Sequence, residues 1–405
     1  MPAEPEPPAP AAPPAPAVFG PARLGPLTLR NRIIKAATFE GASPRGEVTD
    51  ALIDFHRRIG EGGASLSTVA YLAVAPEGRT DRHCIQLDGS SLPGLQRLTA
   101  AVHATGAAVS AQIGHAGPVA NARSNGLASL APSRRVSPSA SVTRAASEQD
   151  IARITEDYRR AASVAVEAGF DCIEVHLGHN YLLSAFLSPR LNRRTDRWGG
   201  TLANRGRFPR QVVEAVRDGA GDRVAVTAKL NMADGVPGGL WLEESVAFAR
   251  MLESDGALDA LELTGGSSLS NPMYLFRGEA PRVEFAATLP GPLRAGFRLV
   301  GSRFLQDYPF EEAFFLPYAR QFLEALDLPV ILLGGINRLE TVEGALAEGF
   351  SFVAMARALL RQPDLVRRWE HGDTAGGLCI HCNKCMPTIY SGTHCVLVDS
   401  GAPPC

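Results

Sequence analysis

The chain has 405 residues, with Lys+Arg 40 against Asp+Glu 42 and a formal charge of −2. That near-neutral balance argues against nucleic acid or an anionic membrane surface as the main partner, and no run approaches the ~20 apolar residues of a membrane span. No basic start with an apolar core marks a secretory signal. The cysteines, at 84 and 172 and then crowded at 379, 382, 385, 395 and 405, do not form a secreted disulfide framework, so a reducing, cytoplasmic compartment is expected.

Residues 2–17 (PAEPEPPAPAAPPAPA) are almost wholly Pro, Ala and Glu. Such a stretch cannot bury enough apolar surface to offset its ordering entropy, which predicts a disordered tail over 1–18; a proline-rich docking ligand is the minor reading. Eight short apolar runs follow: 32–37, 64–70, 107–113, 171–176, 223–229, 258–264, 329–335 and 350–356. Near-continuous apolar runs of this length suit strands buried on both faces, as in parallel sheets. Amphipathic stretches lie between them. In 148–168, Ile151, Ile154, Tyr158 and Ala162 share one helical face, and Ser147 is placed to cap it. Residues 203–218, 241–255, 310–327 and 338–348 read similarly, with Gly169, Gly221 and Gly349 at helix ends.

Eight strands alternating with helices predict an α/β (β/α)8 TIM barrel over 19–372, followed by a short Cys-rich extension over 373–405. A doubly wound sheet is the runner-up, but the first strand runs into KAATFEGAS, which is no glycine-rich phosphate turn. The loops over 114–147 and 265–309 should then lie on the carboxyl face, where barrels keep their active sites. The seventh strand ends in Gly334-Gly335 and the eighth in Ala356-Arg357. Glycines there admit close approach of backbone N–H groups to a phosphate, and an arginine adds a bidentate fork.

The fourth strand delivers His176, His179 and Tyr181 to the same rim. Two neutral imidazoles can donate N–H bonds to an oxygen and withdraw charge from it. A tyrosine, with an ordinary pKa near 10, is a candidate proton donor. The competing reading is half a metal site, with Glu174 or Asp234 as further ligands, and the bland one is a polar packing cluster.

The segment GFDCIEVHLGHNYLLSAFLSPRLNRRTDRWGG resembles the signature of the Old Yellow Enzyme family of FMN-dependent ene-reductases. NRIIKAATFEG, AQIGHAG, ILLGGI and VAMARALLRQPDLV are similar to its first, third, seventh and eighth strands, so the resemblance covers nearly all of 19–372. It implies that Ala36, Ala37 and Thr38 flank the flavin, Gln112 binds its pyrimidine edge, and Lys229 stands near N1. It further implies that Gly335, Ala356 and Arg357 hold the phosphate. His176 and His179 would bind the substrate carbonyl while Tyr181 donates a proton. The implied activity is NAD(P)H-dependent reduction of activated C=C bonds of α,β-unsaturated carbonyl compounds, with hydride leaving flavin N5. Phe39 stands where relatives carry threonine or cysteine, Ala37 where proline is usual, Asn180 where glycine is common and Trp198 where tyrosine is common, which leaves substrate choice open.

Cys379-x2-Cys382-x2-Cys385-x9-Cys395 is a ferredoxin-like run of soft ligands. It resembles the iron–sulfur segment of the dienoyl-CoA reductase and trimethylamine dehydrogenase branch, which implies a [4Fe–4S] cluster; zinc with His381 or His394, or no metal, are the other readings. Two functions compete with the first: a flavin/iron–sulfur dehydrogenase exporting electrons through these cysteines, and a flavin-free phosphate-binding lyase using Lys229. The expected partners are a small substrate and a nicotinamide cofactor.

Overall fold

The computed structural model describes residues 17–136 and 142–398. Of the disordered tail predicted over 1–18, residues 1–16 lie outside the described residues, as does Cys405, whereas Val18 is ordered and buried in the core, so the fold begins slightly earlier than expected. All eight predicted strands form. They are β1 (Ile33–Phe39), β2 (Leu66–Ala73), β3 (Ala108–Gly114), β4 (Cys172–Leu177), β5 (Ala225–Asn231), β6 (Ala260–Thr264), β7 (Val330–Leu333) and β8 (Phe352–Met355). Each pairs in parallel with the next, and β8 closes on β1 to make a barrel. Helices cover the outside, so every strand is buried on both faces, which is why the runs read as nearly continuous apolar sequence.

The helix Glu148–Glu167 begins where its chemistry says it should. Ser147 Oγ accepts from the Asp150 N–H at 3.1 Å, and Asp150 returns an acceptor to the Ser147 N–H at 2.8 Å. Two otherwise orphaned donors are thereby satisfied. Its inner face buries Ile151, Ile154, Tyr158 and Ala162 against the barrel. Other helices match in place but not always in length. Over 310–327 only Leu316–Leu323 is helical, because Pro317 suits a first turn and 310–315 is irregular chain. The long loop 265–309 is not featureless either, and carries the helix Gly291–Phe304.

A hairpin, Ala22–Leu24 with Leu27–Leu29, precedes the barrel. Leu24 and Leu29 pack with Leu66, Cys172, Ala225, Ala260 and Phe352, the opening residues of their strands. The hairpin therefore plugs the amino-terminal mouth, and the open end is the carboxyl rim. Among the described residues no helix is long and apolar enough to cross a membrane.

Candidate active site

The rim is shaped by the turn after β4. His179 and Asn180 both adopt left-handed backbone, with φ of 58° and 60°. A glycine is at ease there, and asparagine is among the residues that tolerate it, which accounts for Asn180 at that position. The turn is pinned from below. Asn231 Oδ1 accepts from the His179 N–H at 3.0 Å, and Asn231 Nδ2 donates to Asp234 Oδ1 at 2.9 Å. Asp234 also accepts from Ser188 Oγ at 2.6 Å and the Leu240 N–H at 2.9 Å. Asp234 is thus a structural acceptor behind the turn, not a metal ligand.

Three rings converge as a result. The His176 centroid lies 5.0 Å from His179 and 4.7 Å from Tyr181, and Tyr181 meets Tyr71 edge to face at 5.4 Å. His179 Nε2 is 3.0 Å from Thr264 Oγ1, while His176 Nδ1 is buried without a partner. Burial, aided by the Lys229 charge, lowers His179 to about 3; burial, then His179 and Lys229, hold His176 well below its ordinary value. Both imidazoles are neutral at physiological pH, as hydrogen-bond donation to a substrate atom requires.

These rings line a cavity of about 520 Å³. Ala36, Ala37, Thr38, Gln112 and Lys229 contribute other parts of its wall, with Gly335, Ala356 and Arg357 at the β7–β8 end. The predicted residues are thus brought to one chamber. Behind Lys229 lies a feature the sequence did not reveal. Its Nζ is 3.0 Å from Glu174 Oε1 and 2.8 Å from Glu262 Oε1, and Gln112 Nε2 donates to Glu174 at 2.7 Å. Register explains the grouping: Gln112 pairs with Glu174, and Lys229 with Glu262. Burial opposes the charge on Lys229, but Glu174 and Glu262 more than offset it and raise its pKa. Glu174 is consequently an ion-pair partner rather than a metal ligand.

Arg357 departs from its expected task. Its guanidinium donates to the carbonyls of Phe276 and Arg277 and to Asn383 Oδ1. The fork is spent on the loop after β6 and on the cysteine extension, so an anion at this end would be left to the backbone of Gly335, Ala356 and Arg357. Positive φ at Gly334 (115°) and Gly335 (75°) makes that turn glycine-specific.

The family model for the NADH:flavin oxidoreductase / NADH oxidase family matches residues 17–261. The chain belongs to this family. The chain is 60% identical over 385 residues to a 4,4'-dithiodibutanoate disulfide reductase of Rhodococcus erythropolis, covering 95% of this chain and 96% of the relative. A metal reductase of Desulforamulus reducens is 33% identical over 92% of this chain, which spans only about half (52%) of that relative. Among solved structures, a 2-naphthoyl-CoA reductase complex superposes with a TM-score of 0.78 at 25% identity, over 93% of this chain and 56% of that one.

As an NADH:flavin oxidoreductase, the protein uses FMN with NAD(P)H as reductant, and the flavin-free lyase reading is set aside. The chamber fits that group: it is roomy, walled by small Ala36 and Ala37, ends in a glycine turn suited to a phosphate, and presents an unpartnered imidazole nitrogen. The cysteines fit their expected group less well. Cys379, Cys382, Cys385 and Cys395 do share one small cavity of about 20 Å³. Yet among the described residues no three His, Cys, Asp or Glu side chains stand at metal-ligating spacing. The histidines invoked for zinc do not line that cavity: His381 stacks on Phe310 at 3.3 Å, and His394 Nδ1 is 2.7 Å from Gly392 O. As arranged, these side chains form no metal site among the described residues.

Proposed function

We propose that this flavoenzyme reduces a small organic electrophile held under His176 and His179, with Tyr181 as proton donor. The observation that carries it is the convergence of these three rings, two of them neutral imidazoles, on the wall of the cofactor chamber. Bound FMN supplies the two-electron relay from NAD(P)H to the acceptor. Ala36, Ala37 and Thr38 would flank the ring system, Gln112 and Lys229 its pyrimidine edge, and the turn at Gly335, Ala356 and Arg357 its phosphate. His176 and His179 orient the acceptor and stabilise the negative charge that develops on it.

An organic disulfide ranks first as acceptor, on the 60% identity to the dithiodibutanoate reductase that spans nearly all of both chains. Hydride arriving at one sulfur breaks the S–S bond, and the departing thiolate takes the Tyr181 proton. An activated alkene is the second reading, favoured by the histidine pair, which suits a carbonyl oxygen. There hydride adds at the β-carbon and Tyr181 protonates the α-carbon. The test is NAD(P)H oxidation by the FMN-loaded protein with 4,4'-dithiodibutanoate and with a cyclic enone. Two thiols per NAD(P)H support the first reading, and saturated ketone alone replaces it with the second. No turnover of either overturns the proposal.

A further inference from the structure

The charges behind Lys229 do not balance. Glu174, Lys229 and Glu262 are each no more than 3% exposed, so two carboxylates face one ammonium in a dry site. The nearby Lys35 cannot supply the missing cation. It is matched by Glu40 at 2.9 Å, beside which His56 Nε2 stands at 3.6 Å. The other groups facing the cluster are Gln112 on β3, Cys172 and the neutral His176 on β4, and His179 beyond it. On β7 the register neighbour of Glu262 is the apolar Ile331. Lys229 Nζ reaches Glu262 Oε1 at 2.8 Å, but outside hydrogen-bonding angles. The ammonium therefore serves Glu174 fully and Glu262 in part. Two buried carboxylates that cannot both ionise share a proton.

We propose that Glu174 and Glu262 hold one exchangeable proton against Lys229, and that this proton, rather than the lysine alone, sets the charge behind the flavin seat. The inference rests on the reading that FMN occupies the chamber. Burial, strengthened by Glu174, pushes Glu262 up to about 8 against the pull of Lys229. With the proton in place the triad is neutral; without it the triad carries one negative charge. Reduction of the bound flavin adds negative charge at the chamber wall and tightens the hold on that proton. Above about pH 8 the two electrons then bring one proton to the flavin and a second, from solvent, to the carboxylate pair. Glu262 does not line the chamber and acts through Lys229, so it is a positioning residue.

The test is a spectroelectrochemical titration of the FMN-loaded protein, reduced with dithionite, from about pH 7 to about pH 10. One proton per two electrons shifts the midpoint by about 30 mV per pH unit. The expected slope has that value near neutrality and doubles above about pH 8. Glu262→Gln, which mimics the protonated acid, should keep the single-proton slope throughout. A single-proton slope across the whole range in the unsubstituted protein overturns the inference, as does a doubling that survives in Glu262→Gln. If that variant fails to fold, the unsubstituted slope decides alone, with Glu174→Gln as the second variant. A flavin that accepts electrons from dithionite but never from NAD(P)H defeats the functional reading, while the slope still decides whether the carboxylates share a proton.

Discussion

His176 and His179 face the chamber as neutral rings, whereas Lys229, alongside them, faces it as the tip of a buried cluster with Glu174 and Glu262. The imidazole wall relies on dipoles that burial keeps uncharged. The cluster relies on opposite charges that burial makes costly to separate. Low dielectric thus does contrary work within one chamber: it removes charge where a donor must stay neutral and locks charge in place where a field is needed.

The sharpest way to break this contrast is to remove the cation. Near neutral pH, Lys229→Met leaves the single negative charge that Glu174 and Glu262 share buried without a counter-ion and is expected to cost about 3–5 kcal/mol of folding stability. The denaturant midpoint of the FMN-free protein reads this directly. Adding Glu262→Gln should recover little of the loss near neutral pH, where the pair already holds its proton, and part of it above about pH 8, where one surplus charge disappears. A cost below about 1 kcal/mol would show that the cluster is not charged as described.

On the wall the same logic predicts an effect on rate and little on stability. Tyr181→Phe should slow acceptor reduction by roughly 10²-fold, the lower range for a lost proton donor. Reduction of the bound flavin by NAD(P)H should stay nearly unchanged, as stopped-flow absorbance near ~450 nm would report. Equal slowing of both steps would make Tyr181 a binding residue.

The wall was legible in the sequence and the cluster was not. His176, His179 and Tyr181 lie within six residues at a strand end, so local spacing suffices to bring them together. The barrel strands were legible for a similar reason, since burial on both faces writes itself as a continuous apolar run. Lys229 and Glu174 are 55 residues apart, and Arg357 reaches the Phe276 carbonyl across 81. No local pattern encodes those meetings; barrel register and loop packing create them. One signal was available: Glu174 and Glu262 are carboxylates inside otherwise apolar strand runs, and a buried charge implies a partner. The helix at 316–323 was overextended because the irregular chain before it is also rich in apolar residues, with Phe314 and Phe315 packed into the core.

Titration separates the two regions further. His179, lowered to about 3, and His176, also lowered, should leave acceptor reduction without an imidazole inflection between pH 5 and 8. An inflection near 6.5 in that rate would contradict a neutral pair. Stability has the opposite visibility. The unfolded chain takes up protons at these histidines below about pH 6.5 while the folded one does not, so the buried neutral rings contribute stability above that pH. It is lost progressively as pH falls toward 3, at up to about 1.4 kcal/mol per unit for each ring.

The smallest expected effect falls on the turn that joins wall to scaffold. Asn180→Gly relieves a left-handed residue of its Cβ, which is favourable, but gives the unfolded chain more backbone freedom, which is not. Each contribution is about 1 kcal/mol and they oppose, so the melting temperature should move by only a few degrees. Asn180→Val adds a β-branched clash at φ 60°, and should fall well below both. If Asn180→Gly proved as damaging as Asn180→Val, the side chain rather than the backbone would be what holds His179 over the chamber. The Asp234–Asn231 link would then be only part of the support beneath the imidazole wall.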